Sequence, residues 1–215
     1  MIIAIDGPAG SGKSTTAKLL AKKLGFIYLD TGAMYRAVTL FLLNNKINIE
    51  NVSDIKKSLE KIDLSIKSKN RFEIYLNNKN VTNDLRRANI DDLVSNVSKI
   101  LEVRKKMIIL QRNFSNNKNV VVEGRDIGSN VFPDADFKFF LIADVMERAK
   151  RRFNDNQYET SITISELVRK IKKRDEIDSS RLISPLIKVD DAIEVDTTSL
   201  TIEEQVTKIY DIIMR

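Results

Sequence analysis

The stretch GPAGSGKS at residues 7–14 decides the fold of this chain. Its order of Gly, four free positions, Gly, Lys and Ser is that of the P-loop, which binds phosphate. Residues 2–5 before it are apolar and predict a short buried strand, and residues 14–24 after it carry apolar side chains at helical spacing. Because the glycines let the loop curl, its backbone N–H groups and the positive end of the helix dipole should face a bound phosphate. We therefore predict a nucleotide-binding loop between a strand and a helix.

Two side chains of the loop have expected roles. Lys13 should reach the terminal phosphates of the nucleotide, and the Ser14 hydroxyl should hold Mg²⁺. The predicted ATP site consists of nine consecutive residues, namely Gly7, Pro8, Ala9, Gly10, Ser11, Gly12, Lys13, Ser14 and Thr15.

The composition limits both the location and the chemistry of the protein. A chain of 215 residues suits one domain, and a hydrophobic fraction of 42% supports a core. No apolar run approaches the roughly 18 residues of a membrane span, and the chain enters its first strand directly, so we expect a cytoplasmic protein with no membrane partner. The chain has no cysteine and no histidine, which excludes disulfides, thiolate nucleophiles, imidazole bases and most zinc sites. The net charge of +6 comes from scattered lysines, so we expect no nucleic-acid partner.

Further strands and helices alternate along the chain. Residues 26–29 predict a second strand ending at Asp30, and Thr31 is the expected N-cap of a helix over 32–43. Residues 120–122, 137–143 and 192–195 predict three more strands. Asp144 should cap a helix whose basic face, with Arg148 and Arg151, is expected in solvent, and Thr201 with Glu204 forms a capping box for the last helix. Five strands alternating with helices predict an α/β, doubly wound, mostly parallel sheet.

Residues 62–88 break this alternation. Segments 63–66, 71–76 and 81–85 alternate in polarity and are joined by tight turns such as 77–80. Strands joined by tight turns are antiparallel, whereas the strands of a P-loop sheet are parallel. We therefore predict a small antiparallel β insertion within a single domain that spans residues 1–215.

Arg104 is conspicuous in the next predicted element, a long helix over residues 90–114. It lies on the helix face that carries Val97, Ile100 and Ile108. Its guanidinium must either extend to solvent or meet a ligand or a buried carboxylate, and the sequence leaves both alternatives open.

Charged residues also lie at the ends of two other predicted elements, one a strand and one a helix. Glu123 follows the buried strand 120–122, where an acidic residue of a P-loop protein commonly supports Mg²⁺ or its water shell. Arg125 and Asp126 come next and could also form a local ion pair. The helix that begins at Ile164 is apolar at first and then charged from Arg174 to Arg181, which predicts a helical lid over 155–184, although an ordinary exposed helix end would show a similar pattern.

The arginines at element ends suit a second anionic substrate. If the acceptor of the phosphoryl group is itself a phosphate, its oxygen is already ionised and needs no general base, which agrees with the absence of histidine. A switch GTPase would need a guanine-reading Asn-Lys-x-Asp, and the stretch NKNV at residues 78–81 lacks its Asp. We therefore predict a small kinase.

Five segments together resemble the bacterial cytidylate kinase family, whose members are P-loop nucleoside monophosphate kinases. They are DGPAGSGKS at 6–14, DTGAMYR at 30–36, EGRDIG at 123–128, VFPDA at 131–135 and RDEID at 174–178. The resemblance covers essentially the whole chain. It implies that ATP, with Mg²⁺, phosphorylates CMP or dCMP to the diphosphate, and that the β insertion is a monophosphate-binding subdomain.

The resemblance also implies roles for individual residues. The phosphate-binding and catalytic positions match Arg36, Arg125 and Arg174 beside Lys13. The base-reading positions match Ser95, Arg104 and Asp126, the ribose contacts match Asp178 and Arg181, and Thr31 and Tyr35 complete the CMP site. The metal positions match Ser14 and, through water, Glu123, which stands where the family often has Asp.

Two alternatives to CMP phosphorylation remain at this point. One is a P-loop kinase for AMP or UMP, and the other is a nucleotide- or RNA-binding module without activity, which the sequence pI of about 9.4 would favour. For the kinase we expect ATP and CMP or dCMP as partners and a monomeric protein.

Overall fold

A computed structural model describes residues 1–68, 71–155 and 162–215. The contacts between residues divide the chain into two compact units. One is formed by Met1–Leu29 with Asn117–Arg215 and the other by Asp30–Asn116. The strands described are β1 (Ile2–Asp6), β2 (Ile27–Asp30), β3 (Leu64–Lys67), β4 (Glu73–Leu76), β5 (Lys79–Asn80), β6 (Val120–Glu123), β7 (Phe137–Ile142) and β8 (Ile193–Asp196). The helices are α1 (Lys13–Leu24), α2 (Thr31–Asn44), α3 (Val52–Glu60), α4 (Ala88–Val97), α5 (Leu101–Ser115), α6 (Val145–Asn154), α7 (Ile164–Ser179) and α8 (Ile202–Ile213). Single turns of 3₁₀-helix and π-helix occur at Thr82–Arg86 and Ile127–Val131.

The first unit is built on a five-stranded parallel sheet in the order β2-β6-β1-β7-β8. Ile3 of the central strand β1 pairs with Val121 on one side and with Phe137 on the other. Side chains of β1, β6 and β7 are fully buried against Leu20 of α1 and Ile209 of α8. The parallel sheet predicted from the alternation of strands and helices is confirmed.

Two glycines allow the phosphate loop to pass close to the sheet and to α8. A Cβ atom on Gly7, whose φ is +146°, would lie 2.1 Å from the carbonyl oxygen of Leu141. A Cβ atom on Gly12, whose φ is +90°, would lie 2.8 Å from Oε1 of Gln205. Because an L side chain rarely adopts such φ values, a substitution at either position would strain the loop.

The second unit contains the predicted antiparallel sheet, in the order β3-β4-β5, but its third strand is shorter and begins earlier than we predicted. Asn77 and Asn78 both adopt a left-handed backbone and make a two-residue hairpin turn that brings Lys79 opposite Leu76. Asparagine tolerates this conformation, and a turn with two left-handed residues matches the twist of paired strands. The segment predicted as a strand over 81–85 instead forms the 3₁₀ turn.

The long helix predicted over residues 90–114 is two helices, α4 and α5. The chain turns at Ser98 and Lys99, and Ile100 adopts an extended backbone with φ −71° and ψ 121°. The apolar spacing continues through this break, which is why the sequence pattern did not reveal it.

The caps of the helices are close to the predictions, with one correction. Asp30, and not Thr31, is the N-cap of α2, because the Asp30 carboxylate accepts a hydrogen bond from the Ala33 amide at 2.8 Å. The Asp144 cap and the capping box of Thr201 with Glu204 are confirmed. No helix within the described residues has both the length and the apolar character that a membrane span needs.

Candidate active site

The phosphate loop follows the end of β1, and its lysine is buried. Lys13 is only 5% exposed, and its Nζ donates a hydrogen bond to the carbonyl oxygen of Pro8 at 2.7 Å. The pKa of Lys13 is lowered to about 7, first by burial and next by the positive charge of Arg125, while the carboxylate of Glu123 acts in the opposite direction. The positive charge of Arg174 lowers this pKa as well. The charges of Arg125 and Arg174 therefore both act on Lys13.

Arg125 is held by an ion pair with the buried Asp178. The carboxylate of Asp178 is 1% exposed, and it accepts hydrogen bonds from Arg125 Nε at 2.9 Å and from a guanidinium nitrogen of Arg181. Burial alone would raise the pKa of Asp178, but the charges of Arg125, Arg181 and Arg174 hold it below its ordinary value. The residues predicted at the end of α7 therefore gather around one carboxylate.

The same unit holds Asp126 beside a hydrogen-bonded turn. Asp126 is 4% exposed and immediately precedes the π-helical turn. The carboxylate of Asp6 accepts hydrogen bonds from the amides of Ile127 at 2.9 Å and Gly128 at 2.8 Å. Burial raises the pKa of Asp6 to about 6, although both amides oppose this change. Asp6 thus fixes the backbone on the C-terminal side of Asp126.

Glu123 lies at the end of β6, and its carboxylate is held by a tyrosine. The Tyr28 hydroxyl donates to Glu123 Oε1 at 2.6 Å, and Glu123 is 4% exposed. The described residues contain no group of three or more Asp, Glu, His or Cys side chains that could enclose a metal ion. The exposed Ser14 at the start of α1 and the carboxylate of Glu123 nevertheless fit Mg²⁺, because this ion usually takes few protein ligands besides phosphates and water.

A network absent from our sequence predictions ties the phosphate loop to α6 and α7. Arg148 Nη1 donates to the carbonyl oxygen of Ala9 at 3.0 Å and to Asp175 Oδ2 at 2.6 Å, and Asp175 Oδ1 accepts from the Ala9 amide at 3.3 Å. The expectation of a solvated basic face on α6 was therefore wrong for Arg148, and Arg151 donates to Thr197 Oγ1 at 3.1 Å.

The second unit carries the remaining predicted residues. Arg104 is 1% exposed, its Nη1 donates to the Ser98 carbonyl at 3.1 Å, and its Cζ lies 5.6 Å from the centre of the Tyr35 ring. Extension of Arg104 to solvent is therefore excluded, and its guanidinium contacts a carbonyl group at the break between α4 and α5. Ser95 adjoins this arrangement, because its carbonyl oxygen accepts from the Ser98 hydroxyl at 3.0 Å.

Arg36 lies on α2 and forms an ion pair within the same unit. Its Nε donates to Asp91 Oδ1 at 3.1 Å, and both side chains are about one fifth exposed. Thr31 and Tyr35, which we also predicted as binding residues, are 3% and 7% exposed on the first turns of α2. The structure thus brings Tyr35 and Arg104 together in one unit, and Lys13, Arg125, Arg174, Asp178 and Arg181 together in the other.

Four residues with clear positioning contacts were missed from the predicted sites: Asp6, Tyr28, Arg148 and Asn130, whose Nδ2 donates to Asp126 Oδ2 at 3.2 Å. Asp6 left a signal, since it is a charged residue at the end of an otherwise apolar strand. Tyr28, Arg148 and Asn130 left none, because their partners lie far away in the sequence or have no recognisable spacing.

Comparisons with known proteins show the family of this chain. The chain is 51% identical to the cytidylate kinase of Fusobacterium nucleatum over 205 residues, which cover 95% of this chain and 93% of the relative. It is 51% identical to the cytidylate kinase of Carboxydothermus hydrogenoformans over 219 residues, covering 100% and 98%. An uncharacterized protein from Eubacterium ventriosum shares the fold with a TM-score of 0.51 at 15% identity, covering 100% of this chain and 96% of that one. The family model for cytidylate kinase matches residues 3–215, and this chain therefore belongs to the cytidylate kinase family.

Proposed function

We propose that this protein transfers the γ-phosphoryl group of ATP to CMP or dCMP and yields ADP with CDP or dCDP. The observation that carries this proposal is the placement of Arg125 and Arg174 near the buried Lys13 of the phosphate loop, where their charges lower the pKa of Lys13. Cations that lie near one another are stabilised when anions bind among them, and phosphoryl transfer between two nucleotides brings several phosphates together.

The reaction needs no general base. A phosphate oxygen of CMP attacks the γ-phosphorus of ATP in line, a new P–O bond forms, and the bond to the β-phosphate oxygen breaks as ADP leaves. Lys13 binds the β- and γ-phosphates, and Arg36, Arg125 and Arg174 neutralise the acceptor phosphate and the transferred group. Mg²⁺, held by Ser14 and through water by Glu123, would supply further neutralisation of the phosphates of ATP.

Recognition of CMP is assigned to residues that contact its base, its ribose and its phosphate. Asp126 accepts a hydrogen bond from the exocyclic amino group of cytosine, where uracil instead presents a carbonyl oxygen that a carboxylate repels. Arg104 donates to the acceptors of the base and Ser95 adjoins it, while Thr31 and Tyr35 lie beside the monophosphate. Asp178 and Arg181 contact the ribose, and residues 155–184 close over the phosphates as a lid. Residues 156–161 of this segment lie outside the described part of the chain.

The protein acts as a cytoplasmic monomer without nucleic acid as a partner. One feature supports the absence of nucleic acid: the arginines Arg36, Arg125 and Arg181 engage carboxylates of the protein. ATP and CMP are small substrates, for which a monomeric kinase suffices.

The test is an ADP-release assay with CMP, dCMP, UMP and AMP in parallel at saturating ATP and Mg²⁺. We expect kcat/KM for CMP and dCMP in the range of about 10⁴–10⁶ M⁻¹s⁻¹ and at least about tenfold above UMP and AMP. A preference for AMP or UMP would replace the proposal with a kinase for that nucleotide.

A further inference from the structure

Asn130 contacts the proposed base-reading residue Asp126 directly. It lies on the π-helical turn, four residues after Asp126, and its Nδ2 donates to Asp126 Oδ2 at 3.2 Å. The same Nδ2 donates to the hydroxyl oxygen of Ser184 at 2.8 Å. Both hydrogens of the amide thus have acceptors, and since a carboxylate only accepts, the nitrogen of the amide must face Asp126.

The backbone around Asp126 is fixed independently of Asn130's side chain. Asp6 holds the amides of Ile127 and Gly128. The carbonyl oxygen of Asp126 accepts from the amides of Asn130 at 3.0 Å and Val131 at 3.1 Å. Asn130 therefore adds what these bonds do not provide, namely a contact that orients the carboxylate itself.

Ser184 connects this contact to the segment that follows α7. Ser184 has a left-handed backbone with φ +54°, a conformation that costs energy for a residue other than glycine. Two residues later, the Leu186 amide donates to the carbonyl oxygen of Asp178 at 2.9 Å. The Asn130 side chain is consequently anchored to the same segment that carries Asp178 and Arg181.

We propose that Asn130 is a positioning residue that orients the carboxylate of Asp126 and so sets the preference for cytosine over uracil. This inference rests on the proposed function, in which Asp126 reads the base. Asp126 Oδ2 accepts a hydrogen bond from Asn130, which restricts the rotation of the carboxylate. Loss of this hydrogen bond weakens the restraint, so that the carboxylate turns more readily away from the amino group of cytosine and from the uracil carbonyl that it otherwise repels.

The test compares Asn130→Leu with Ser129→Ala under the same assay. Leucine keeps the size of the side chain but makes no hydrogen bond, and the matched control removes a buried hydroxyl of the same turn that has no hydrogen-bond partner. We expect Asn130→Leu to lower the CMP-to-UMP ratio of kcat/KM by about 5- to 20-fold, which is the effect of about 1–2 kcal/mol. The loss should appear as a higher KM for CMP, with the KM for ATP within about twofold of wild type, and Ser129→Ala should leave the ratio unchanged.

Retained UMP turnover shows that the variant is folded, and Asn130→Ala serves as a second variant if Asn130→Leu does not fold. An unchanged ratio in the folded variant, or an equal fall with CMP and UMP, would overturn the inference. Asp126→Asn assayed in parallel separates the two hypotheses. If Asp126→Asn lowers the ratio and Asn130→Leu does not, only the inference about Asn130 fails. If Asp126→Asn leaves the ratio unchanged, base reading by Asp126 fails as well.

Discussion

Arg148 and Asp175 form an ion pair of 2.6 Å, and both side chains hydrogen-bond to the backbone of Ala9 in the phosphate loop. The Arg148 side chain is 9% exposed and that of Asp175 is 21% exposed. Since the Ala9 amide donates to Asp175 and the Ala9 carbonyl accepts from Arg148, the loop is tied to α6 and α7 at once. This contact makes the position of α7 depend on the phosphate loop.

Loss of Arg148 should destabilise the protein. We expect Arg148→Ala to lower the free energy of unfolding by about 2–4 kcal/mol, because the largely buried Asp175 carboxylate loses its cation and the Ala9 carbonyl loses a donor. Urea unfolding followed by circular dichroism measures this change. Lys150→Ala on the same helix is the control, since it breaks an exposed pair with Glu147 and should cost less than about 1 kcal/mol. Equal losses in the two variants would show that the contacts of Arg148 add no more stability than an exposed ion pair.

Replacement of Lys13 should remove catalysis without unfolding the protein. We expect Lys13→Met to lower kcat by at least about 100-fold, since the transferred phosphoryl group loses a preorganised cation. Its urea midpoint should stay at or above the wild-type value, because methionine avoids the burial of a charge. Lys18→Met changes an exposed lysine of α1 and should retain wild-type kcat. Near wild-type kcat in Lys13→Met would contradict the assignment of the phosphate loop.

Replacement of Arg181 should raise the KM for CMP and leave the KM for ATP nearly unchanged. We expect Arg181→Ala to raise the KM for CMP by about tenfold or more with the KM for ATP within about twofold, because Arg181 contacts the ribose in the proposed site. Arg169→Ala, an exposed arginine of α7, is the control and should change neither constant. A loss confined to the KM for ATP would reassign Arg181 to the donor nucleotide.

The same variant has a predictable pH dependence. The pKa of Asp178 is held below its ordinary value partly by Arg181, so this carboxylate stabilises the fold above its unfolded pKa of about 4, and the contribution is lost as pH falls further. Removal of Arg181 raises the pKa of Asp178. The stability difference between wild type and Arg181→Ala should therefore be larger at pH 7 than near pH 3, as measured by urea unfolding. A difference independent of pH would show that Asp178 is not coupled to Arg181.

The features that the sequence revealed are those that depend on neighbouring residues. The phosphate loop, the Asp144 cap and the capping box at Thr201 each need residues within eight positions, so their spacing is visible in the chain. The apolar β-branched run before Glu123 was likewise enough to predict a buried parallel strand. Local chemistry thus predicted the parallel sheet and the loop at the end of its first strand.

The features that could not be predicted from the sequence depend on partners far away in the sequence, or on an apolar spacing that continues through a break between two helices. Arg148 and Asp175 are 27 positions apart, and no periodicity links them. The break at residues 98–100 contains no Gly or Pro, and apolar spacing runs through it. At this break the carbonyl group of Ser98 accepts a hydrogen bond from the buried Arg104, a partner that the helical pattern could not show. Residue spacing therefore fails to predict the structure where tertiary contacts bury charged side chains.

Asp6 should make the stability of the protein fall as pH rises from about 4 to about 6. Its pKa is raised to about 6 in the folded protein from 3.8, so in this range the folded state keeps a proton that the unfolded state has released. The free energy of unfolding of wild type minus that of Asp6→Asn should fall by up to about 3 kcal/mol across this window, because the asparagine does not titrate. Urea unfolding at pH 4, 5, 6 and 7 measures the difference, and subtracting the variant cancels the contributions of other carboxylates. A constant difference would show that Asp6 is already ionised at pH 4, in which case its two amide hydrogen bonds outweigh the cost of burying its charge.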